Sequence, residues 1–338
     1  MASPRTSMSD KKPKARAAAA AAGASAAEAS AAGGPADSAL ADSALADRAG
    51  QDGRSRLAVR KTYKLYVGGA FPRSESGRSY PVHAARGGDL LAYAAQASRK
   101  DARDAVVAAR AAVAGWSGAT AYNRGQVLYR VAEMIEGRAE QFAAEVAAAE
   151  GVSAAAARRT VEAAIDRWVW YAGWPDKVAQ VAGATNPVAG PYFNFSLPEP
   201  TGVVAVLAPA ESSLLGLVSV LAPVIATGNA AVVVASEDRP LPAITLTEVL
   251  ATSDLPAGVV NVLTGRTAEL APVLAGHFDV NAIDLTGARA DARAELERLA
   301  AANVKRVFAA EDDWAALPTP RRMLAFLEIK TVWHPVGA

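Results

Sequence analysis

The chain has 338 residues, 51% hydrophobic and 20% charged, with a formal net charge of +1. This length allows a buried core, and the near-neutral balance excludes a dedicated nucleic-acid binder, which carries a basic excess. The absence of cysteine excludes disulfides, thiolate metal sites, Fe–S clusters and cysteine nucleophiles together. No apolar run approaches the ~18 residues of a membrane span. No apolar segment follows Lys11, Lys12 and Lys14 as it would in a secretory signal, so the expected location is cytoplasmic.

Residues 1–56 contain no Val, Ile, Phe, Tyr or Trp and are dominated by alanine. Alanine methyls bury too little surface to offset chain entropy, so a disordered, solvated tail is expected there. The folded part opens at "KTYKLYVGGAFPRSESGRSYPV", where Leu65 to Val67, the Gly68-Gly69 turn and a short return strand read as a hairpin. "RSYPV" reads as one more extended piece. From Arg99 to Glu150 the pattern is helical, with Asp101 as the expected N-cap. "TVEAAIDRWVWYAGWPDKVAQ" continues as an amphipathic helix whose Trp170 and Trp174 belong to the core. In "PYFNFSLPEPTG", Phe193, Phe195 and Leu197 alternate with Asn194 and Ser196, the mark of a strand with one polar face.

Five apolar strands then recur: "VVAVLAP", "AAVVVAS", "VVNVLTG", "NAIDLTG" and "VKRVFAA". Helical segments Ser212 to Thr227, Leu241 to Ser253, Thr267 to Leu274 and Ala290 to Ala302 separate them. Strands apolar on both faces and spaced by helices predict an α/β, doubly wound parallel sheet of about five strands. Ligands of such sheets bind beyond the carboxyl ends of the strands. Neither a G-x-G-x-x-G nor a G-x-x-x-x-G-K-[ST] phosphate motif is present. Glu211 and Glu237 read as two separate carboxylates at strand ends rather than a catalytic pair. His83, His277 and His334 lie far apart without metal-ligand spacing, so no metal site is expected. No serine sits in a nucleophile elbow.

Nearly from end to end after the tail, these segments resemble the aldehyde dehydrogenase superfamily. "KLYVGGAFPRSESGRSYPV", "EPTGVVAVLAPAESSLLGLVSVLAPVIATGNAAVVVASEDRPL", "DLPAGVVNVLTG", "DVNAIDLTGA", "NVKRVFAAE" and "FLEIKTVWHPVGA" follow that family's order. The wording near Lys61 is most similar to the Cys-less second copy of the two-domain members, family 16. The resemblance implies a cofactor-domain scaffold over residues 57–311, an oligomerisation hairpin at about 190–203, and a short bridge plus oligomerisation strand over 312–338. It implies, too, that the oxyanion-holding asparagine is replaced by Glu211 and the ribose-gripping lysine by Val234. The serine of the fourth strand falls at Ala288, and the general base near Ala310, with Glu311 one residue away. Between the last sheet strand and the C-terminal strand, where active members carry a catalytic domain, stands only "EDDWAALPTPRRM".

The expected role is therefore a catalytically inactive homologue that assembles with a full-length aldehyde dehydrogenase, or with itself, through strand addition. The interface implied is Phe193, Phe195, Leu197, Ile329, Thr331 and Trp333. No cofactor is expected. The alternatives are an NAD(P)-dependent oxidoreductase or a nucleotide-sensing module, with vestigial contacts at Ala208, Glu237 and Gly287. No membrane or nucleic-acid partner is expected.

Overall fold

Residues 59–337 are described by a computed structural model, so the expectation for residues 1–56 lies outside the described residues. Three short strands come first, β1 (Thr62–Tyr63), β2 (Ser79–His83) and β3 (Leu90–Ala95), in the sheet order β1-β3-β2. Gly68 and Gly69, at φ 60° and 78°, form the two-residue turn that only glycine-like residues adopt easily. Val67 and Ala70 exchange hydrogen bonds of 3.0 and 3.1 Å across it. The expected hairpin continues past this pair, with Leu65 N–H donating to Pro72 O at 3.0 Å, while Tyr66 between them exchanges backbone bonds of 3.0 and 2.7 Å with Val262. "RSYPV" supplies β2 as expected; β3 is an alanine-rich run with no strand signal of its own.

The helix α1 (Arg99–Gly118) corrects the N-cap expectation. Ser98 is the cap, and its hydroxyl accepts the Lys100 and Asp101 N–H groups. Asp101 is the third helical residue and completes a capping box by accepting the Ser98 N–H at 2.8 Å. Its buried carboxylate also takes the Ser74 hydroxyl at 2.8 Å and the Glu75 N–H at 3.1 Å, tying the helix to the preceding loop. Helices α2 (Ala121–Glu136), α3 (Ala139–Glu150) and α4 (Ala154–Ala172) follow, then the short α5 (Val178–Ala182). The expected single helix is broken at Gly173, which caps α4, so Trp174 lies in the turn before α5. The fully buried indole of α4 is Trp168, and Trp170 and Trp174 pack half-buried against the same core, their rings 5.1 Å apart.

After β4 (Ala184–Asn186) and β5 (Tyr192–Pro200) the chain enters the parallel sheet. Its elements are β6 (Val203–Leu207), α6 (Leu215–Ala226), β7 (Ala230–Val234), α7 (Leu241–Leu250), β8 (Val260–Leu263), α8 (Thr267–Gly276), β9 (Ala282–Asp284), α9 (Ala290–Ala301) and β10 (Arg306–Phe308). The strand order is β10-β9-β6-β7-β8, all parallel, as the five apolar runs predict. Alternate residues face opposite layers. Val204, Val206, Ala231 and Val233 pack with α2–α4, α6 and α7, whereas Val203, Ala205, Leu207, Ala230 and Val232 pack with α1, α8 and α9. Two-sided burial is what makes these strands continuous apolar runs.

The chain ends in α10 (Arg321–Ala325) and β11 (Leu327–Pro335), and a third sheet has the antiparallel order β11-β5-β4. Residues 190–203, expected as a hairpin, supply the single strand β5, whose hairpin partner is β4. Between β10 and α10 the bridge "EDDWAALPTPRRM" is fastened by Arg322. Its buried guanidinium bonds the fully buried Asp284 at the end of β9 and Asp312 in the bridge, and donates to the Thr286 hydroxyl at 3.1 Å. The same guanidinium lies 4.6 Å from the Phe308 ring centroid.

Two expectations follow for stability. Asp101→Ala should lose about 2 kcal/mol in denaturant unfolding, because three donors lose a charged acceptor; an unchanged midpoint contradicts the capping role. Arg322→Met should lose about 3–5 kcal/mol by leaving Asp284 buried without its cation, and Asp284→Leu added to it should restore part of that loss. A single substitution as stable as the parent would rule out the ion pair as the fastening of the bridge.

Candidate functional site

The strand order reverses between β6 and β9, since the chain winds outward from β6 through β7 and β8 and returns to β9. In an open α/β sheet that reversal opens a crevice beyond the carboxyl ends of the strands, and ligands bind there. On one side of the crevice a cavity of about 630 Å³ lies between α8 and α9, with Leu207, Ala271, Pro272, Ala288, Ala292 and Leu296 among its walls. A second cavity of about 550 Å³ adjoins it, lined by Tyr80, Glu211, Asp238 and Arg239 among others. Glu237 and Arg266 line both, so their side chains form the wall between the two.

That wall is an ion pair. The Arg266 guanidinium bonds one Glu237 oxygen, and the other accepts the Thr267 N–H at 3.1 Å, at the first turn of α8. The carboxylate thus takes the place an anionic ligand would take at a helix N-terminus. The Glu237 bond raises the Arg266 pKa further, and burial, then the Glu237 charge, push up that of the Tyr80 phenol beside it. Both therefore keep their protons at neutral pH.

Glu211 stands apart from Glu237 in its bonding, as two separate carboxylates would. One of its oxygens accepts the Trp314 indole N–H at 2.9 Å, and its backbone carbonyl accepts from Arg239 at 2.6 Å. The amides of the other two expected contacts are already engaged in the sheet: Ala208 N–H donates to Val234 O and Gly287 N–H to Leu207 O, each at 3.0 Å. The N–H groups at those two positions thus serve the sheet's own hydrogen bonding. Gly287 has a packing reason for being glycine: a Cβ there would meet the Ala208 carbonyl at 2.2 Å. Val234 is buried in the α1, α8 and α9 layer and offers the crevice nothing polar.

On the other side of the crevice, toward α4 and α6, the bridge lies across the strand ends. Arg167 of α4 donates to the Trp314 and Ala316 carbonyls at 2.9 and 2.6 Å and to the Ser219 hydroxyl of α6 at 2.6 Å. Burial lowers the Arg167 pKa and pushes the neighbouring Tyr171 phenol up to about 12. Ala310 is buried, and Glu311 lines a small cavity under the bridge with Phe308 and Arg322. The histidines remain dispersed: His83 meets the Gly88 carbonyl at 2.9 Å and His277 the Asp279 N–H at 3.1 Å. Among the described residues no cluster of His, Asp or Glu could hold a metal ion.

The remaining expected positions fall in the β11-β5-β4 sheet, and the register divides them between its two faces. Phe195 stands opposite Val332, and Trp333 opposite Asn194, so Phe193, Phe195 and Leu197 share one face while Ile329, Thr331 and Trp333 share the other. Tyr192 and Trp333 rings lie 5.7 Å apart and the Ser196 and Thr331 hydroxyls 2.9 Å apart on that second face. Sequence reasoning does not find Arg167, Arg266, Trp314 or Arg322 as site residues. Their partners lie far along the chain, and no spacing marks them; a lone tryptophan in a short polar bridge is the one available signal.

Residues 71–311 match the model of the aldehyde dehydrogenase family. The chain is 31% identical over 259 residues to mouse cytosolic 10-formyltetrahydrofolate dehydrogenase, covering 75% of this chain and 28% of that one. It is 33% identical over 243 residues to hydroxyisobutyraldehyde dehydrogenase of Mycolicibacterium austroafricanum, covering 72% and 47%. Among solved structures, the NAD+ complex of aldehyde dehydrogenase from Bacillus cereus is similar with a TM-score of 0.69 and 26% identity, covering 73% of this chain and 50% of that one. HpcC from Thermus thermophilus is similar with a TM-score of 0.69 and 29% identity, covering 73% and 48%. The chain thus spans half or less of the length of these relatives. By these matches and by its doubly wound sheet, the chain belongs to the aldehyde dehydrogenase family.

Proposed function

We propose that this chain is a non-catalytic member of its family, a structural or regulatory subunit that assembles with a full-length aldehyde dehydrogenase through the β11-β5-β4 sheet. The observation that carries this reading is the sheet itself. Both of its faces expose large apolar side chains, with Phe193 48%, Ile329 55% and Trp333 59% exposed, and such surface on both faces suits burial against a partner. β11 is a nine-residue edge strand, and its outer backbone groups suit the addition of a further strand.

The crevice supports the non-catalytic half of the reading. A thioester route through an aldehyde needs a thiolate, and the sequence has no cysteine. Glu211, at the position the resemblance assigns to the oxyanion-holding asparagine, would oppose a developing negative charge rather than stabilise it. A second reading, nucleotide binding or NAD(P)-dependent oxidation, is favoured by the cavity between α8 and α9 and by the NAD+ bound to the Bacillus cereus relative. For localisation we propose the cytoplasm; among the described residues no helix is long and apolar enough to cross a membrane.

The register selects the test. Val336 N–H donates to Pro191 O at 2.9 Å and Thr201 N–H to Phe326 O at 3.2 Å, so even-numbered residues of β11 bond inward to β5. The outward donors are those of Ile329, Thr331 and Trp333. Thr331→Pro removes one while sparing the β5 ladder, and should weaken association with a full-length aldehyde dehydrogenase at least tenfold in sedimentation equilibrium. An undiminished complex would remove β11 from the interface.

A further inference from the structure

We propose that the bridge is a resident stopper: Glu311–Met323, pinned through Trp314, closes the α4/α6 side of the crevice, so the open side admits one nucleotide and not a dinucleotide.

A doubly wound sheet holds a dinucleotide across its switch point, with one mononucleotide over the strand ends of each half, here β6–β8 and β9–β10. Here the two sides differ. Toward α8 and α9 there is an open cavity of about 630 Å³ with apolar walls and Arg266, Arg289 and Glu237 at its rim, within the ordinary size of a small-ligand site. Toward α4 and α6 the ends of β9 and β10 are covered. Arg322 binds Asp284, Thr286 and Asp312 there, and Phe308 lies beneath its guanidinium.

The bridge is held from several elements at once. Arg167 is buried inside α4 and spends two donors on bridge carbonyls, Trp314 O and Ala316 O. Trp314 packs against the main core, and its indole N–H reaches across to Glu211 beyond β6. A ligand passing from the α8/α9 cavity over the end of β6 toward β9 therefore meets the Glu211–Trp314 bond. This gives Glu211 a role: it anchors the stopper. The residues present do not fit an extended dinucleotide for a second reason, since Glu237 is already paired with Arg266 and the Ala208 and Gly287 amides are engaged.

The test uses the full chain and calorimetric titration with AMP and NAD as probes. Four proteins are compared: the parent, Glu211→Leu, Glu211→Gln and Trp314→Ala. The parent is expected to bind AMP at millimolar concentration or below, and NAD within threefold of it. Glu211→Leu and Trp314→Ala should bind NAD at least tenfold more tightly than the parent does, with AMP unchanged. Glu211→Gln keeps an oxygen that accepts the indole N–H, so it should behave as the parent. Hydrogen exchange over residues 312–320 should rise in the Leu and Ala variants and not in Gln, showing release of the bridge in folded protein. A parent that binds NAD more than threefold tighter than AMP, or binds neither, overturns the proposal. So does a released bridge that brings no gain in NAD affinity. Assembly with a partner is measured separately, so failure here leaves that reading standing.

Discussion

The parallel sheet has to be covered at its carboxyl end on the side of α4 and α6, and Arg322 makes that cover possible. Its guanidinium neutralises Asp284, which is fully buried at the end of β9, and reaches Asp312 at the start of the bridge. A carboxylate in that position without a cation would cost several kcal/mol. The bridge, and with it the path of the chain from β10 to α10 and β11, depends on this one satisfied charge. Arg167 repeats the device from α4, where a buried cation is tolerated because two bridge carbonyls and the Ser219 hydroxyl receive its donors.

The consequences run outward in two directions. Toward the crevice, the uncovered side keeps two adjoining cavities, parted by the Glu237–Arg266 ion pair. Both carboxylates at the strand ends are engaged, one by arginine and a helix N-terminus, the other by an indole, which leaves a fold of ligand-binding type with its charges spent on internal contacts. Toward the surface, α10 delivers the chain into β11, which completes a sheet exposed on both faces. The crevice and the sheet are thus linked through a bridge of about a dozen residues.

Much of this is legible in the sequence, and the parts that are not have physical reasons. The five runs from "VVAVLAP" to "VKRVFAA" announce the parallel sheet because burial on both faces leaves no polar alternation. Ser98 is hidden because an aspartate in the first turn resembles a cap from sequence alone; only the geometry assigns Ser98 as the acceptor and Asp101 as its reciprocal partner. The alternation in β5 identifies a strand, yet register decides which residues of β11 share its face, and register is invisible when both faces are half-exposed. The bonds of Arg167, Arg266 and Arg322 join residues between 10 and 149 positions apart, or arise from turns no motif describes. The bridge reads as a gap in the family pattern; its structure shows a packed segment instead.

The central claim, that this chain serves a catalytic partner through the β11-β5-β4 sheet, is tested most directly by the composition of its native complex. The chain would be isolated at its endogenous level and the intact complex weighed. The account predicts a mixed oligomer with a fixed ratio of this chain to a full-length aldehyde dehydrogenase. A monomer, or an oligomer of this chain alone, would contradict it.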